Sequence, residues 1–163
     1  MRDKVYMELA LELAVKGYSF GEIPVGAVLV CGNEIVAWAF NEKELRKDAT
    51  AHAELLTLQR AAQQLKRWRF SDCTLYSTLE PCAMCAGAMV NARLGKLVYG
   101  TRDPKAGAAG SILNVLNCPE LNHQVEVAEG VLREECGDLL KQFFKDLRRD
   151  GRVGRRRSTR NRV

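Results

Sequence analysis

Two short clusters carry residue types that can do chemistry. His52-Ala53-Glu54 is the first, and Pro81-Cys82-Ala83-Met84-Cys85 is the second. Cys82 and Cys85 stand three apart, so on a helix their sulfurs share one face, a turn apart. Pro81 precedes them, where a missing N–H costs little. The positive end of a helix dipole favours thiolates, the forms that bind metal. With the His52 imidazole this makes a donor set of two sulfurs and one nitrogen, suited to one Zn2+ per subunit. Three protein ligands leave the fourth tetrahedral position to water, the mark of a catalytic site. Glu54 is two residues from His52 and faces another side of a regular helix. It is expected beside the bound water as the proton carrier, not as a further ligand. A lone Cys-x-x-Cys can simply pack a helix, and a lone His-x-Glu is weaker still. Their conjunction at successive helix starts argues for the metal. His123 shows no partner spacing that would make it a ligand.

These clusters need elements to hold them. Residues 3–16 place Val5, Leu9 and Leu13 four apart, flanked by Tyr6 and Ala10, which predicts a helix stopping at Gly17. Pro24–Cys31 and Ile35–Phe40 read as a hairpin about Gly32-Asn33-Glu34. Asn41–Thr50 is loop-like and His52–Leu65 helical. Thr74–Ser77 is a strand, Cys82–Ala92 a small-residue helix and Lys96–Gly100 another strand. Thr101–Gly110 reads as a long mobile loop, Gln124–Ala128 as an edge strand, and Val131–Arg149 as a last helix burying Leu132, Cys136, Leu139 and Phe143. This order predicts an α/β fold, a three-layer α/β/α arrangement with a central mixed five-stranded sheet. Two β-α units in the middle predict parallel pairing there.

The 163 residues suffice for one core, and 47% apolar with 28% charged residues fits an ordinary globule. Apolar runs such as Val25–Cys31 and Ala83–Val90 fall short of the roughly 20 residues of a membrane span. The N-terminus shows no secretory pattern, so a cytoplasmic location is expected, where Cys stays reduced. Six Cys are too few for a disulfide framework. Cys31, Cys73 and Cys136 are expected as inert core residues, and Cys118 as a loop residue without evident role. The net charge of +5 is uneven. Residues 148–163 hold eight Arg against one acid, a net +7, and the remainder is −2. The expected division is a catalytic domain at 1–149 and a basic, Arg-rich tail at 150–163, disordered when free.

His-x-Glu followed by Pro-Cys-x-x-Cys resembles the signature of the zinc nucleobase deaminases. The match is wider than the motif. Pro24–Val30, Thr50–Glu54, Leu79–Met89, Arg102–Lys105, Gly107–Ser111 and the Phe143-Phe144 pair resemble the bacterial tRNA-specific adenosine deaminases, over about residues 1–149. The resemblance implies a cytidine-deaminase-like fold, a homodimer, and conversion of the wobble adenosine (anticodon position 34) of a tRNA to inosine. Carried over by position, His52, Cys82 and Cys85 are the zinc ligands and Glu54 the proton shuttle. Zinc-bound hydroxide would attack C6 of adenine. Asn41 and Ala53 fall at substrate-binding positions, Asn41 touching the purine. Asp103 matches a contact to substrate nucleotides, and Lys105 would lie near the RNA backbone. Ala49 departs from the family, which often has Pro there. It loosens the loop leading to His52 and touches no ligand. The tail has no counterpart in the family pattern.

Plainer readings stand beside these. Asn41 is an ordinary turn former, and Asp103-Pro104 an ordinary turn pair. Phe144 suits stacking on a base or an interface equally. Lys141, Lys145, Arg148 and Arg149 form one basic helical face, as fit for solvent as for an RNA backbone. Two other functions remain open: a zinc-dependent deaminase of a free base or nucleotide of the guanine or cytosine type, and a non-catalytic, zinc-bearing RNA-binding subunit. The anticodon stem-loop as partner carries one prediction about the tail. Deleting residues 151–163 should weaken tRNA binding and flatten the log–log dependence of affinity on salt, because fewer counterions are released. Binding titrations at several salt concentrations check this, and an unchanged slope contradicts it.

Overall fold

The computed structural model describes residues 1–160 and, from Arg152 onward, their backbone only. Helix α1 (Arg2–Ser19) leads into strands β1 (Gly26–Cys31) and β2 (Glu34–Phe40). A short helix α2 (Lys43–Arg46) precedes α3 (Ala53–Leu65). Strand β3 (Cys73–Leu79), helix α4 (Ala83–Asn91), strands β4 (Lys96–Thr101) and β5 (Glu126–Glu129), and helix α5 (Arg133–Arg160) complete the chain. The five strands form one mixed sheet in the order β2-β1-β3-β4-β5. β1 pairs antiparallel with both β2 and β3, and β4 pairs parallel with both β3 and β5. The predicted mixed sheet and its parallel middle are therefore present.

Side-chain alternation along the strands feeds two cores. Ala27, Leu29, Leu75, Leu97 and Tyr99 face the layer of α3 and α4, where they meet Leu58, Ala61, Cys85, Ala86 and Met89. Val28, Val30, Tyr76 and Val98 face the opposite layer, with Met7 and Ala10 of α1 and Cys136 of α5. The buried stripe of α1 is Met7, Ala10, Ala14 and Gly17, not the predicted Val5-Leu9-Leu13, and Val5 is exposed. Close approach explains the choice of small residues. A methyl on Gly26 of β1 would overlap the Ala10 carbonyl of α1, so the helix lies almost against the strand. Gly17 packs on Phe40 inside the helix, which runs on to Ser19.

Three further differences from the sequence reading matter. Cys31 and Cys73, expected as reduced core thiols, are directly opposed in the β1–β3 pair and form a disulfide, with Cα atoms 4.2 Å apart. Antiparallel non-hydrogen-bonded pairs approach to about 4.5 Å, which suits such a bridge. Secondly, α5 continues through the expected boundary at 149/150 to Arg160. Once nucleated, a helix gains one hydrogen bond per added residue, and Arg is a good helix former. Residues 161–163 of the predicted tail lie outside the described residues. Thirdly, the segment after β4 is pinned and not loose. Ala108, Leu116 and Val125 are buried in the α3/α4-side core, and Ala108 N donates to the Pro81 carbonyl at 2.8 Å. Among the described residues no helix is long and apolar enough to cross a membrane.

Candidate active site

His52 is the N-cap of α3, and Cys82 is the N-cap of α4. Both have extended backbone, and neither side chain caps its own helix, so both are available to each other. His52 Nδ1 lies 3.6 Å from Cys82 Sγ and 3.7 Å from Cys85 Sγ. The ligand atoms of all three lie within 4.8 Å of one another. Tetrahedral Zn2+ with its usual bond lengths separates sulfur from nitrogen by about 3.6 Å and sulfur from sulfur by about 3.8 Å. The donor set and its spacing therefore fit that ion. Cys85 is fully buried, and the other two are half-buried.

The two thiols are pushed in opposite directions. Hydrogen bonding from Cys85, and then from His52, holds the Cys82 thiol down to about 3. The same bond to Cys82, together with burial, pushes Cys85 far up. His52 is raised, chiefly by its hydrogen bond with Cys82. A bound cation would favour the thiolate form of both cysteines.

Glu54 sits in the first turn of α3 at 4% exposure, its Oε2 3.8 Å from Cys85 Sγ. Burial pushes its carboxyl up to about 7. It is thus poised to exchange a proton near neutrality. Ala53, between His52 and Glu54 in the chain, is fully buried. Asn41 follows β2, and the neighbouring Glu42 N–H donates to the Ala51 carbonyl, tying this turn to the approach to His52. Asn41 is 6% exposed, and its Nδ2 donates to Glu22 Oε2 at 3.1 Å. Asp103 and Lys105 lie on the segment after β4, which joins the ligand cluster through a bridge between Cys82 and Gly107. Asp103 Oδ1 accepts from the Lys105 and Ala106 N–H groups at 2.9 and 3.1 Å, so it also builds its own turn. Phe144 is 39% exposed and packs edge-on against buried Phe143. Lys141, Lys145, Arg148 and Arg149 are exposed on α5. Near its start that helix packs through Cys136 on the sheet face opposite α3 and α4. Lys141 pairs with Asp138, and Arg149 with Asp146.

Two buried acids went unremarked as site residues in the sequence. Glu22 is fully buried, with its carboxylate accepting from Asn41 and from the Leu45 N–H. Glu80, 1% exposed, accepts from the N–H groups of Asp103, Ala109 and Ser111 and from the Ser111 hydroxyl. Burial alone would raise Glu80, yet these donors hold it below the ordinary carboxylate range. The only sequence signal for either is an acid shortly before a proline: Glu22 two residues before Pro24, and Glu80 just before Pro81.

A mixed α/β/α fold with a His/Cys/Cys ligand triangle at two helix starts, and a buried carboxylate beside it, defines the nucleobase-deaminase class. Comparison with known proteins agrees. The MafB19-like deaminase family matches residues 1–148. The chain is 46% identical over 155 residues to a tRNA-specific adenosine deaminase of Bacillus subtilis (strain 168), covering 95% of this chain and 96% of that protein. It is 43% identical to that of Haemophilus influenzae, over 93% and 88% of the two chains. A solved structure of a tRNA A34 deaminase that edits A to I at the wobble position superposes with a TM-score of 0.80 at 38% identity, covering 82% of this chain and 97% of the other. The chain belongs to the tRNA-specific adenosine deaminase family.

The buried Glu54 carboxyl has a consequence for the protein freed of metal by a chelator. Folded, it keeps its proton up to about pH 7; unfolded, it would lose it near the ordinary value of 4.5. The folded state therefore binds more protons in this window, and stability falls as pH rises through it, by up to on the order of 3 kcal/mol. Glu54→Gln lacks this group. Urea melts of the chelator-treated proteins should show the variant gaining on the wild type between pH 4.5 and 7.5. Parallel pH profiles would show that the carboxyl is not desolvated.

Proposed function

We propose that this protein deaminates the wobble adenosine, anticodon position 34, of a tRNA to inosine, with one Zn2+ per subunit held by His52, Cys82 and Cys85. The observation that carries the reading is the ligand triangle with Glu54 buried against it, in a chain of this family. When bound, Zn2+ acidifies a water and makes it the nucleophile for C6 of the base. Glu54 would take one proton from the attacking water and pass it to ring N1, then take the remaining proton from the new C6 hydroxyl and deliver it to the departing amine. The C6–O bond forms, the C6–N bond breaks, and ammonia leaves. Nothing is oxidised or reduced. The burial that brings Glu54 near neutrality suits it to both directions of transfer.

Asn41 is assigned to the purine edge, its amide steadied by Glu22. Asp103 and Lys105 meet the flanking nucleotides and their phosphates. Phe144 is assigned to the substrate, and Lys141, Lys145, Arg148 and Arg149 to the RNA backbone, all from α5. An anticodon loop suits such a pocket because its bases leave the stack at little cost. The cytoplasmic location follows from the substrate. The thiol argument for it loses force, since Cys31 and Cys73 are bridged.

The reading also assigns a homodimer, with the contact on the α3–α4 face. Leu58, Ala62, Trp68, Phe70, Ala88 and Ala92 line a shallow apolar hollow there, and Trp68 is 56% exposed. A methyl on Gly87 would meet nothing, so α4 offers a notch for close approach. Ala86 faces the core instead. Sedimentation should give a dimer for the wild type and a monomer for Trp68→Glu, and an unchanged dimer in that variant would move the contact elsewhere.

The deciding experiment incubates the protein with unmodified tRNA and maps inosine by mass spectrometry. Inosine at the first anticodon position is expected. Ammonia released from free guanine or cytosine, with tRNA untouched, would overturn the assignment. Glu54→Ala should retain zinc and lose turnover by roughly 100-fold or more. Normal turnover would remove Glu54 from the proton path.

A further inference from the structure

Glu80 touches none of the three ligands, yet it organises the segment that leans on them. Its Oε2 accepts from the Asp103 N–H at 2.9 Å, and its Oε1 from the Ala109 and Ser111 N–H groups, each at 3.0 Å. The Ser111 hydroxyl donates to Oε2 as well. Both ends of the segment 103–111 therefore converge on one carboxylate. Between those ends Gly107 passes so close that a methyl there would overlap the Glu80 carboxyl. At the same point Gly107 bridges to Cys82, and Ala108 N donates to the Pro81 carbonyl at 2.8 Å. The Glu80 backbone is itself fixed, its N–H donating to the Thr101 carbonyl at 2.9 Å.

A surface segment of this length with Gly107, Gly110 and Pro104 has little propensity to hold one shape. Just beyond its Ser111 end, Ile112 and Leu113 are exposed. A purely local turn explains Asp103, Lys105 and Ala106, which are knit together by Asp103 Oδ1. It does not explain why that turn stands at a fixed distance from Cys82. The shared carboxylate does. We propose that Glu80 is the positioning residue of the substrate segment: it ties both ends of Asp103–Ser111 to the helix start that bears Cys82, and so holds Asp103 in register with the ligand triangle. This deepens the functional reading above and rests on it, since it takes Asp103–Ser111 as the segment that meets the RNA.

The test uses zinc-loaded wild-type protein, Glu80→Gln and Glu80→Asp. Backbone hydrogen exchange is followed, with steady-state kinetics on an anticodon stem-loop RNA. In Glu80→Gln the amides of Asp103, Ala109 and Ser111 should exchange faster, while those of α4 do not change and zinc is retained. KM should rise on the order of ten- to a hundredfold, because small misplacements of a positioning group cost that much, and kcat should fall by less. Glu80→Asp keeps the charge and should recover part of the loss. Should Glu80→Gln not fold, Ser111→Ala removes one donor and should loosen the same amides to a lesser degree. Unchanged exchange across 103–111 in a folded Glu80 variant, or in Ser111→Ala in its place, overturns the clamp. Loosened amides with an unchanged KM overturn its role in substrate positioning. If wild-type protein forms no inosine in tRNA, the functional reading fails, and the exchange data still decide whether Glu80 holds the segment.

Discussion

Short side chains allow little slack, and the site depends on that. A histidine and two cysteines must converge to 3.6 and 3.7 Å from residues 30 and 33 positions apart in the chain. Two helix starts must therefore be placed by the sheet beneath them. β3 runs into α4 within a few residues, so its register with β1 and β4 sets where Cys82 emerges. α3 is placed by its packing on β1 and β2, helped by the Thr57 hydroxyl, which is 3.4 Å from the Ala27 carbonyl. The close seating of α1 on Gly26 fills the other face of the same strand. A shift of one residue in β3 would turn its side chains to the wrong layer and carry Cys82 away with them.

Three acids in and around this site are buried, and for Glu54 and Glu80 burial alone does not decide the charge. Glu54 meets a thiol and no strong set of donors, so desolvation prevails and its carboxyl rises toward neutrality. Glu80 meets four N–H and O–H donors, which outweigh its burial. Hydrogen bonds to a charged group contribute about 1.5–3 kcal/mol each, against several kcal/mol to desolvate the ion. Three or four such bonds suffice. Glu22, with an amide and a backbone N–H as donors, braces Asn41. On the proposed reading the same residue type carries protons at Glu54 and holds a segment as an anion at Glu80, and the donor count separates the two roles.

What the sequence reveals follows from the range of the interactions. The Cys-x-x-Cys and His-x-Glu spacings are local, so the ligand cluster is legible before any fold is known. Strand alternation and the parallel middle of the sheet are legible for the same reason. The Cys31–Cys73 bridge is not, because it depends on a β1–β3 register between residues 42 apart. Periodicity misleads at α1, where close packing selects Met7, Ala10, Ala14 and Gly17 over the bulkier stripe beside them. Glu22 and Glu80 stay hidden because their partners are mostly backbone groups 19 to 31 residues away, and a backbone N–H leaves no mark in the sequence. The extent of α5 was hidden differently: Arg-rich composition reads as disorder, although arginine itself propagates a helix well.

Charge distribution bears on how such an enzyme can choose its RNA. Outside residues 148–163 the net charge is −2, so bulk attraction cannot place a phosphate backbone near the ligand triangle. The basic residues of α5 have acids beside them on the same helix: Lys141 beside Asp138, and Arg149 beside Asp146 and Asp150. Exposed pairs of this kind are worth only about 0–1 kcal/mol. A phosphate can replace the carboxylate at little cost, whereas a weak, misplaced polyanion gains little over the pair already made. The acids on α5 thus leave binding open while moderating it. On the proposed reading, selection of the base falls to the pocket formed around Asn41, Glu54 and the Glu80-held segment.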